Sequence, residues 1–142
     1  GSAVLLAGGG LGNAVLFSIA KALKAQGNRV IYFAGYKNGA DLFKREEIES
    51  ATDQVIWATD TGVEIAPGRP QDAHFRGNIV QAMVAYAEGR LGTQAVALKD
   101  VTRIIAGVWG GRRLSVQRQR VGSGHKLLQL DILSDLHGSG SR

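Results

Sequence analysis

The sequence predicts an α/β fold of three layers, with a parallel sheet between layers of helices. Short apolar runs that end in glycine or small polar residues alternate with stretches of helical period along the first 106 residues. Strands joined through helices in this way make right-handed crossovers and pair in parallel. We expect about four or five strands, a common sheet size. Ligands of such sheets bind at the carboxyl ends of the strands.

The first predicted unit is a strand, a glycine-rich turn and a helix. Residues 3–7 form an apolar run typical of a buried parallel strand, and glycines fill most of positions 8–12. Asn13 is a favourable N-cap for a helix over residues 14–26, which Gly27 and Asn28 are expected to end. Glycine lets an anion approach the backbone, and the helix start supplies free N–H groups. The unit therefore predicts a phosphate-binding turn.

The remaining elements continue the alternation. Residues 41–51 and 77–88 show helical spacing, and residues 29–34, 54–58 and 100–106 show the composition of strands. Residues 63–75 contain a proline–glycine turn and are expected to be irregular, with at most a short hairpin at the sheet edge. Trp57 lies in a strand pattern and is expected to belong to the core.

Charge divides the chain into a neutral part and a basic part. Residues 1–100 carry ten Lys or Arg and ten Asp or Glu, whereas residues 101–142 carry seven against two. We expect a nucleotide-binding domain over residues 1–106. The basic segment 107–142 either completes or extends this domain, docks a partner, pairs two chains, or is non-native sequence. A nucleic-acid partner is the less favoured of these interpretations, because a basic tail without a recognised module predicts one poorly.

Composition also excludes several classes of chemistry. The chain has no cysteine, which excludes disulfides, iron–sulfur ligation and a thiol nucleophile within it. Its three histidines are scattered, so we expect no metal site. No apolar run reaches the roughly 20 residues that span a bilayer. Without cysteines, and without the basic start and cleavage pattern of a signal peptide, we expect a cytoplasmic protein that does not bind membranes.

Five short motifs follow one another in a characteristic order. They read AGGGLG at 7–12, AGYK at 34–37, ATDTG at 58–62, FRGN at 75–78 and VTRIIA at 101–106. This series resembles the pyridine-nucleotide-binding domain of the ferredoxin–NADP reductase superfamily. Within it, the series is most similar to the branch of dihydroorotate dehydrogenase electron-transfer subunits, sulfhydrogenase gamma subunits and NADH-dependent ferredoxin–NADP oxidoreductase subunits. After residue 106 the chain departs from that branch, because GVWGGRR replaces a G-x-x-x-M pattern.

The resemblance implies one half of a flavin-dependent oxidoreductase. This half would bind NAD or NADP, while FAD would lie on a barrel domain absent from this chain. Hydride would pass between NAD(P)H and FAD, and electrons onward to an iron–sulfur or other redox partner. No residue would act as an acid or base, and the isolated chain would bind nucleotide weakly or not at all. The alternative is a non-catalytic α/β domain with a basic docking surface for a protein or nucleic acid.

The resemblance also implies roles for particular residues. The residues that would meet the pyrophosphate and the nicotinamide ribose are Gly9, Gly10, Leu11, Gly12 and Asn13. Gly35, Tyr36 and Lys37 would border the adenosine ribose, and Asp60 and Thr61 would line the adenine side. Ala106 and Gly107 would lie beneath the nicotinamide. Lys37 either binds the 2′-phosphate of NADP or is a solvated loop lysine. A free-standing dehydrogenase is less favoured, because no acidic residue ends the second strand.

Overall fold

A six-stranded sheet runs through the part of the protein that the computed structural model describes, namely residues 2–9, 12–36, 39, 42, 44–110 and 113–120. The strands are β1 (Ala3–Gly9), β2 (Arg29–Tyr36), β3 (Gln54–Thr59), β4 (Ala73–Arg76), β5 (Val101–Gly110) and β6 (Arg113–Arg120). The helices are α1 (Gly12–Ala25), α2 (Arg45–Ser50) and α3 (Ile79–Ala87), with a 3₁₀ turn at Leu98–Asp100.

The strand order is β4-β3-β2-β1-β5-β6. Neighbouring strands pair in parallel from β4 to β5, and β6 pairs with β5 in the antiparallel sense. The predicted α/β class with a parallel sheet is therefore confirmed.

Helices cover both faces of the sheet, which confirms the three layers. On one face, α1 and α2 pack on alternate residues of β1, β2 and β3, and the buried side chains include Leu16, Ala20, Leu23, Ile48, Val4, Leu6 and Trp57. On the other face, α3 packs on the intervening residues, and the core includes Ala82, Met83, Tyr86, Leu5, Phe33, Ile56 and Ile104. Strands buried on both faces have little polar alternation, which explains the continuous apolar runs of the sequence.

The turn after α1 takes the form that the sequence predicts. Gly27 has φ +85°, a left-handed conformation that favours glycine. The Asn28 N–H donates to the Leu23 carbonyl at 3.1 Å and the Gly27 N–H to the Lys24 carbonyl at 3.0 Å. These two bonds form a Schellman motif, which satisfies the last carbonyls of the helix and sends the chain into β2.

Two buried polar groups fix the irregular segments at the amino edge of the sheet. The amide of Gln54, fully buried, donates to the carbonyls of Gln71 at 2.6 Å and Thr93 at 2.8 Å. The Tyr86 hydroxyl lies 2.7 Å from Gln54 Oε1 and 2.5 Å from the Val96 carbonyl. Both are acceptors, so the single hydroxyl proton serves one of them at a time.

The second of these groups is an ion pair. The Asp72 side chain is wholly buried and accepts from the Val55 N–H at 2.9 Å. Arg69 donates to it through Nε at 2.7 Å and Nη2 at 3.1 Å, and also donates to the Glu49 carbonyl at 2.5 Å. The guanidinium therefore joins the segment before β4 to the end of α2, where the helix leaves free carbonyls.

Several boundaries differ from prediction. Residues 73–76, expected to be irregular or part of a hairpin, form a parallel strand that pairs Ile56 with Ala73 and Thr59 with Arg76. The helix predicted over residues 41–51 spans only Arg45–Ser50, and it is preceded by Lys44 with φ 56°. Residues 41 and 43 lie outside the described residues. Within the described ranges, no helix combines the length and apolar character that crossing a membrane requires.

The glycine-rich turn is shorter than the sequence suggests. β1 continues to Gly9 and α1 begins at Gly12, so Asn13 lies inside the first helical turn, where we expected the N-cap. β1 is longer than expected because its glycines pair with β2 and β5. β5 likewise runs past residue 106 to Gly110, and β6 adds a strand to the sheet beyond the expected number.

Candidate functional site

The chain reverses its direction across the sheet at β1. From β1 it proceeds through β2 and β3 to β4, and α1 and α2 cover one face. It then returns past β1 to β5, and α3 covers the other face. The connections diverge to opposite faces between β1 and β5, which leaves a crevice outside the carboxyl ends of these two strands. This is the position at which open α/β sheets bind ligands.

Glycines occupy the carboxyl ends of three adjacent strands. In register, Gly8 of β1 stands beside Gly107 of β5, and Gly9 stands beside Gly35 of β2. Gly9 is exposed, so backbone without a side chain faces outward at the mouth of the crevice. We call Gly8, Gly9, Gly35 and Gly107 the glycine row.

Helix α1 begins at this same edge. Its first residue, Gly12, follows shortly after the end of β1, and its first turn contains no acidic residue. The first N–H groups of a helix have no partner within the helix and carry a partial positive charge. This end of α1 is therefore suited to an anion. Gly10 and Leu11, which link the strand to the helix, lie outside the described residues.

Helix α3 reaches the edge from the opposite face, and its start is fixed by a capping box. Asn78 Oδ1 accepts from the Gln81 N–H at 2.8 Å, and Gln81 Oε1 accepts from the Asn78 N–H at 3.1 Å. The next residue, Ile79, lies over the glycine row. A Cβ added to Gly35 would stand 2.8 Å from Ile79 Cγ1, whereas one added to Gly9 would meet, among the described residues, only Ile79 Cδ1, at 3.8 Å.

Gly9 and Gly35, which pair in register, thus have different physical reasons for being glycine. Gly35 is buried and is required for the close approach of α3 to the sheet. Gly9 is exposed and leaves open backbone. Local sequence does not separate them, because the contact depends on a helix that starts 44 residues after Gly35.

The segment after β3 lies beside the end of β2. The Asp60 N–H donates to the Tyr36 carbonyl at 3.2 Å, and both Asp60 and Thr61 are exposed. Arg76, the last residue of β4, donates through Nη2 to the Gly62 carbonyl at 2.9 Å and lies 3.3 Å from Glu64 Oε2. Sequence reasoning missed Arg76, because the short strand that positions it was not recognised.

Two buried polar atoms near this end of the sheet have no hydrogen-bond partner among the described residues. They are the Tyr36 hydroxyl and the Trp57 indole nitrogen. Burial raises the pKa of Tyr36 to about 12, so its hydroxyl is neutral at physiological pH. Trp57 is fully buried, as predicted, and the Arg45 guanidinium lies 5.8 Å from its ring centroid. Both rings therefore belong to the core, and at the edge β2 presents the Tyr36 carbonyl.

A threonine–histidine contact joins β3 to β4. Thr59 Oγ1 lies 2.6 Å from His74 Nε2, and the tautomer of the ring decides which atom donates. Burial lowers the pKa of His74; Glu64 opposes this shift and Arg76 adds to it. Among the described residues, no group of three His, Cys, Asp or Glu side chains is arranged to hold a metal ion.

The structure brings part of the predicted residue set together. Gly9, Gly35 and Gly107 lie in one row, and Ala106, nearly buried, precedes Gly107 on β5. Asp60 and Thr61 lie one strand further along the same edge. Lys37 lies outside the described residues, as do Gly10 and Leu11. The arrangement offers backbone N–H groups, a helix start and small residues along this edge of the sheet.

Comparison with known proteins gives a likeness among solved structures. No protein-family model matches the sequence. Among solved structures, the chain is similar to an oxidoreductase. That protein is the NADH-dependent reduced ferredoxin–NADP oxidoreductase, described in relation to flavin-based electron bifurcation. The identity is 18%, the TM-score is 0.42, and the alignment covers 98% of this chain and 60% of the other. This chain therefore spans about 60% of the length of that oxidoreductase chain.

Proposed function

We propose that this chain is the NAD(P)H-binding half of a flavin-dependent oxidoreductase. FAD would be held on a barrel domain outside this sequence, and electrons would continue to an iron–sulfur or other redox partner. The observation that carries the proposal is the coincidence, at the crevice beside β1, of an exposed glycine backbone and the start of α1. A pyrophosphate needs close approach to the backbone and a partial positive charge, and both are available here.

The available space favours a nucleotide over a side chain as the occupant of this crevice. At Gly9 there is space for a ligand: among the described residues, only Ile79 Cδ1 lies within 4 Å of an added Cβ, at 3.8 Å. At Gly35 the comparable space is filled by Ile79 itself. The ligand would therefore approach over Gly9, Gly107 and the first turn of α1 rather than between Gly35 and α3.

We assign the other parts of the dinucleotide according to the order of the strands along the carboxyl edge of the sheet. Residues 9–13 would hold the pyrophosphate and nicotinamide ribose, and Ala106 with Gly107 would support the nicotinamide. The adenosine ribose would lie at the end of β2, beside Gly35, the Tyr36 carbonyl and Lys37. The adenine would lie further along, at Asp60 and Thr61, which are exposed beside β2.

In this proposal, the protein contributes by orienting the coenzyme. A bound NAD(P)H would supply a hydride for a flavin to accept, and no residue of this chain would need to transfer a proton. The residues at the edge would fix the coenzyme across the ends of four neighbouring strands, of which the outer two lie roughly 14 Å apart at about 4.8 Å per spacing. Such fixed positioning is the main way in which a site of this kind accelerates transfer between two bound rings.

The test is a calorimetric titration of the full chain with NADH and NADPH. We expect weak binding that Gly9→Asp abolishes, because a carboxylate at the mouth of the crevice repels the pyrophosphate. Gly9→Ala serves as the neutral control for packing at the same position, and Gln26→Glu adds the same charge at the exposed far end of α1. An equal effect of Gly9→Asp and Gln26→Glu would contradict the proposal.

A second measurement tests the reaction class. An FAD-loaded barrel domain from a related reductase is added to the chain with NADPH or NADH, and flavin bleaching is followed by absorbance. We expect bleaching to depend on this chain and to be lost in Gly9→Asp. Binding without bleaching would retain the nucleotide site and refute the flavin-reductase role.

A further inference from the structure

Two neighbouring side chains near the carboxyl edge of the sheet each bury a polar atom that has no hydrogen-bond partner among the described residues. These atoms are the Tyr36 hydroxyl and the Trp57 indole nitrogen. Tyr36 is 5% exposed and Trp57 is fully buried. Trp57 pairs in register with Ala34, and Tyr36 lies two residues further along β2 on the same face of the sheet. The two side chains are therefore diagonal neighbours, and one cause can explain both atoms.

A buried polar atom without a partner is uncommon in proteins. Such an atom loses its bond to water on folding and gains no other, so most buried hydroxyl and indole groups are paired. On the opposite face of this sheet the same group is satisfied, because the Tyr86 hydroxyl lies within hydrogen-bond distance of Gln54 Oε1 and the Val96 carbonyl. The contrast between the two tyrosines points to a second arrangement of Tyr36, in which its hydroxyl has a partner.

The position of Tyr36 allows such an arrangement. Tyr36 is the last residue of β2, and its carbonyl accepts from the Asp60 N–H at 3.2 Å. The preceding residue, Gly35, is fixed beneath Ile79. Rotation about the side-chain bonds of Tyr36 would therefore carry its ring to the end of the sheet without moving the strand. The hydroxyl would reach the edge, and water could enter the vacated space and accept from the Trp57 N–H. One rotation would thus satisfy both atoms.

The apolar ring of Tyr36 favours the buried arrangement. Rotation outward would expose the ring to water, so the hydroxyl by itself does not draw the side chain out of the core. A ligand that covers the ring at the edge and bonds to the hydroxyl binds only the outward arrangement. It would therefore shift the balance between the two arrangements by its difference in affinity for them.

We propose that Tyr36 rotates out of the core when a ribose binds at the end of β2, and that its hydroxyl then bonds to the ribose. Neighbouring ribose hydroxyls both donate and accept, as the tyrosine hydroxyl does. This inference rests on the proposed function, because the ribose is the adenosine ribose of the dinucleotide. It adds a movement of Tyr36 that couples coenzyme binding to the surroundings of Trp57.

Fluorescence of Trp57 reports this movement. W109F leaves Trp57 as the one tryptophan of the chain. Its emission maximum shifts to longer wavelength when water reaches the indole. We expect NAD⁺ to cause this shift along the same saturation curve as the amide shift of Gly9. ADP-ribose, which keeps the adenosine half, should act in the same way, whereas nicotinamide mononucleotide should not.

Tyr36→Phe removes the hydroxyl and keeps the ring. It should raise the melting temperature of the free chain by about 3–8 °C, because the buried arrangement no longer contains an unsatisfied hydroxyl. It should also weaken NAD⁺ binding by about tenfold or more, since the buried ring is then more stable and the ribose loses a hydrogen bond. Tyr86→Phe is the matched control, because it makes the same change at a satisfied hydroxyl. This control should lower the melting temperature and leave NAD⁺ affinity unchanged.

Several outcomes would overturn the inference about Tyr36. They are a lower melting temperature for Tyr36→Phe, an NAD⁺ affinity equal to that of the wild type, and an equal emission shift with nicotinamide mononucleotide. An amide shift at Gly9 without a change in Trp57 emission would refute the rotation and leave the nucleotide site standing. If neither Gly9 nor Trp57 responds to millimolar NAD⁺, the proposed function and the rotation fail together.

Discussion

The packing of Ile79 on the glycine row predicts opposite effects for two similar substitutions. A methyl group at Gly35 would stand 2.8 Å from Ile79 Cγ1 and 2.9 Å from Cδ1, well inside the contact distance of two carbons. At Gly9 the nearest atom among the described residues, Ile79 Cδ1, would lie 3.8 Å from the added methyl group, an ordinary contact. Gly35→Ala therefore overpacks the α3 face, whereas Gly9→Ala does not.

The magnitudes follow from these distances. Overpacking costs about 1–3 kcal/mol, and the smaller conformational freedom of alanine in the unfolded chain offsets about 0.4–1 kcal/mol. We expect Gly35→Ala to lower the free energy of unfolding by about 1–2 kcal/mol. Gly9→Ala has only the second effect and should raise it by about 0.4–1 kcal/mol.

Urea unfolding followed by circular dichroism measures both changes. With an m value of about 2 kcal/mol/M, Gly35→Ala should lower the midpoint by roughly 0.5–1 M. Ile79→Ala should cost less stability in the Gly35→Ala protein than in the wild type, because there it also removes the clash with the new methyl group. Equal stability of the two glycine variants, or strict additivity with Ile79→Ala, would refute the packing explanation of Gly35.

Three further outcomes are expected. Arg69→Met should lower the free energy of unfolding by about 3 kcal/mol in chemical unfolding, because the wholly buried Asp72 carboxylate loses its cation. A change below about 1 kcal/mol would contradict this and would mean that water replaces the guanidinium. Tyr86→Phe should cost about 1–2 kcal/mol by removing the hydroxyl beside buried Gln54, and an unchanged melting temperature would contradict this. Since the pKa of His74 is lowered by folding, the unfolded chain binds more protons near and below the ordinary histidine pKa. The wild type should therefore lose stability relative to His74→Gln when pH falls from about 8 to 5.5, and parallel curves would refute that role.

The layers of the fold could be predicted because they depend on local patterns. Apolar runs identified β1, β2, β3 and the first part of β5, and Gly27 identified the end of α1. The strand β4 has only four residues, which are half-buried or exposed, and it is held in the sheet by pairing with β3. Such a strand has no apolar run of its own, so tertiary pairing decides it.

The sequence could predict that the candidate site lies at the carboxyl edge of the sheet, but it could not predict the role of each residue there. The glycine-rich turn and the small residues after each strand indicated the carboxyl edge. The separation of Gly35 from Gly9 depends on where Ile79 lies, and the position of Arg76 depends on β4. Contacts between segments far apart in the chain leave no trace in local spacing, so the sequence could not predict these two positions.

The most direct test of the central claim is an amide chemical-shift titration of the full chain with NAD⁺ and NADP⁺. We expect shifts at Gly9, Gly12, Asn13 and Gly107, and none at Gly27, which lies at the far end of α1. No shift at millimolar coenzyme, or shifts confined to the amino edge of the sheet, would contradict a nucleotide site at the glycine row.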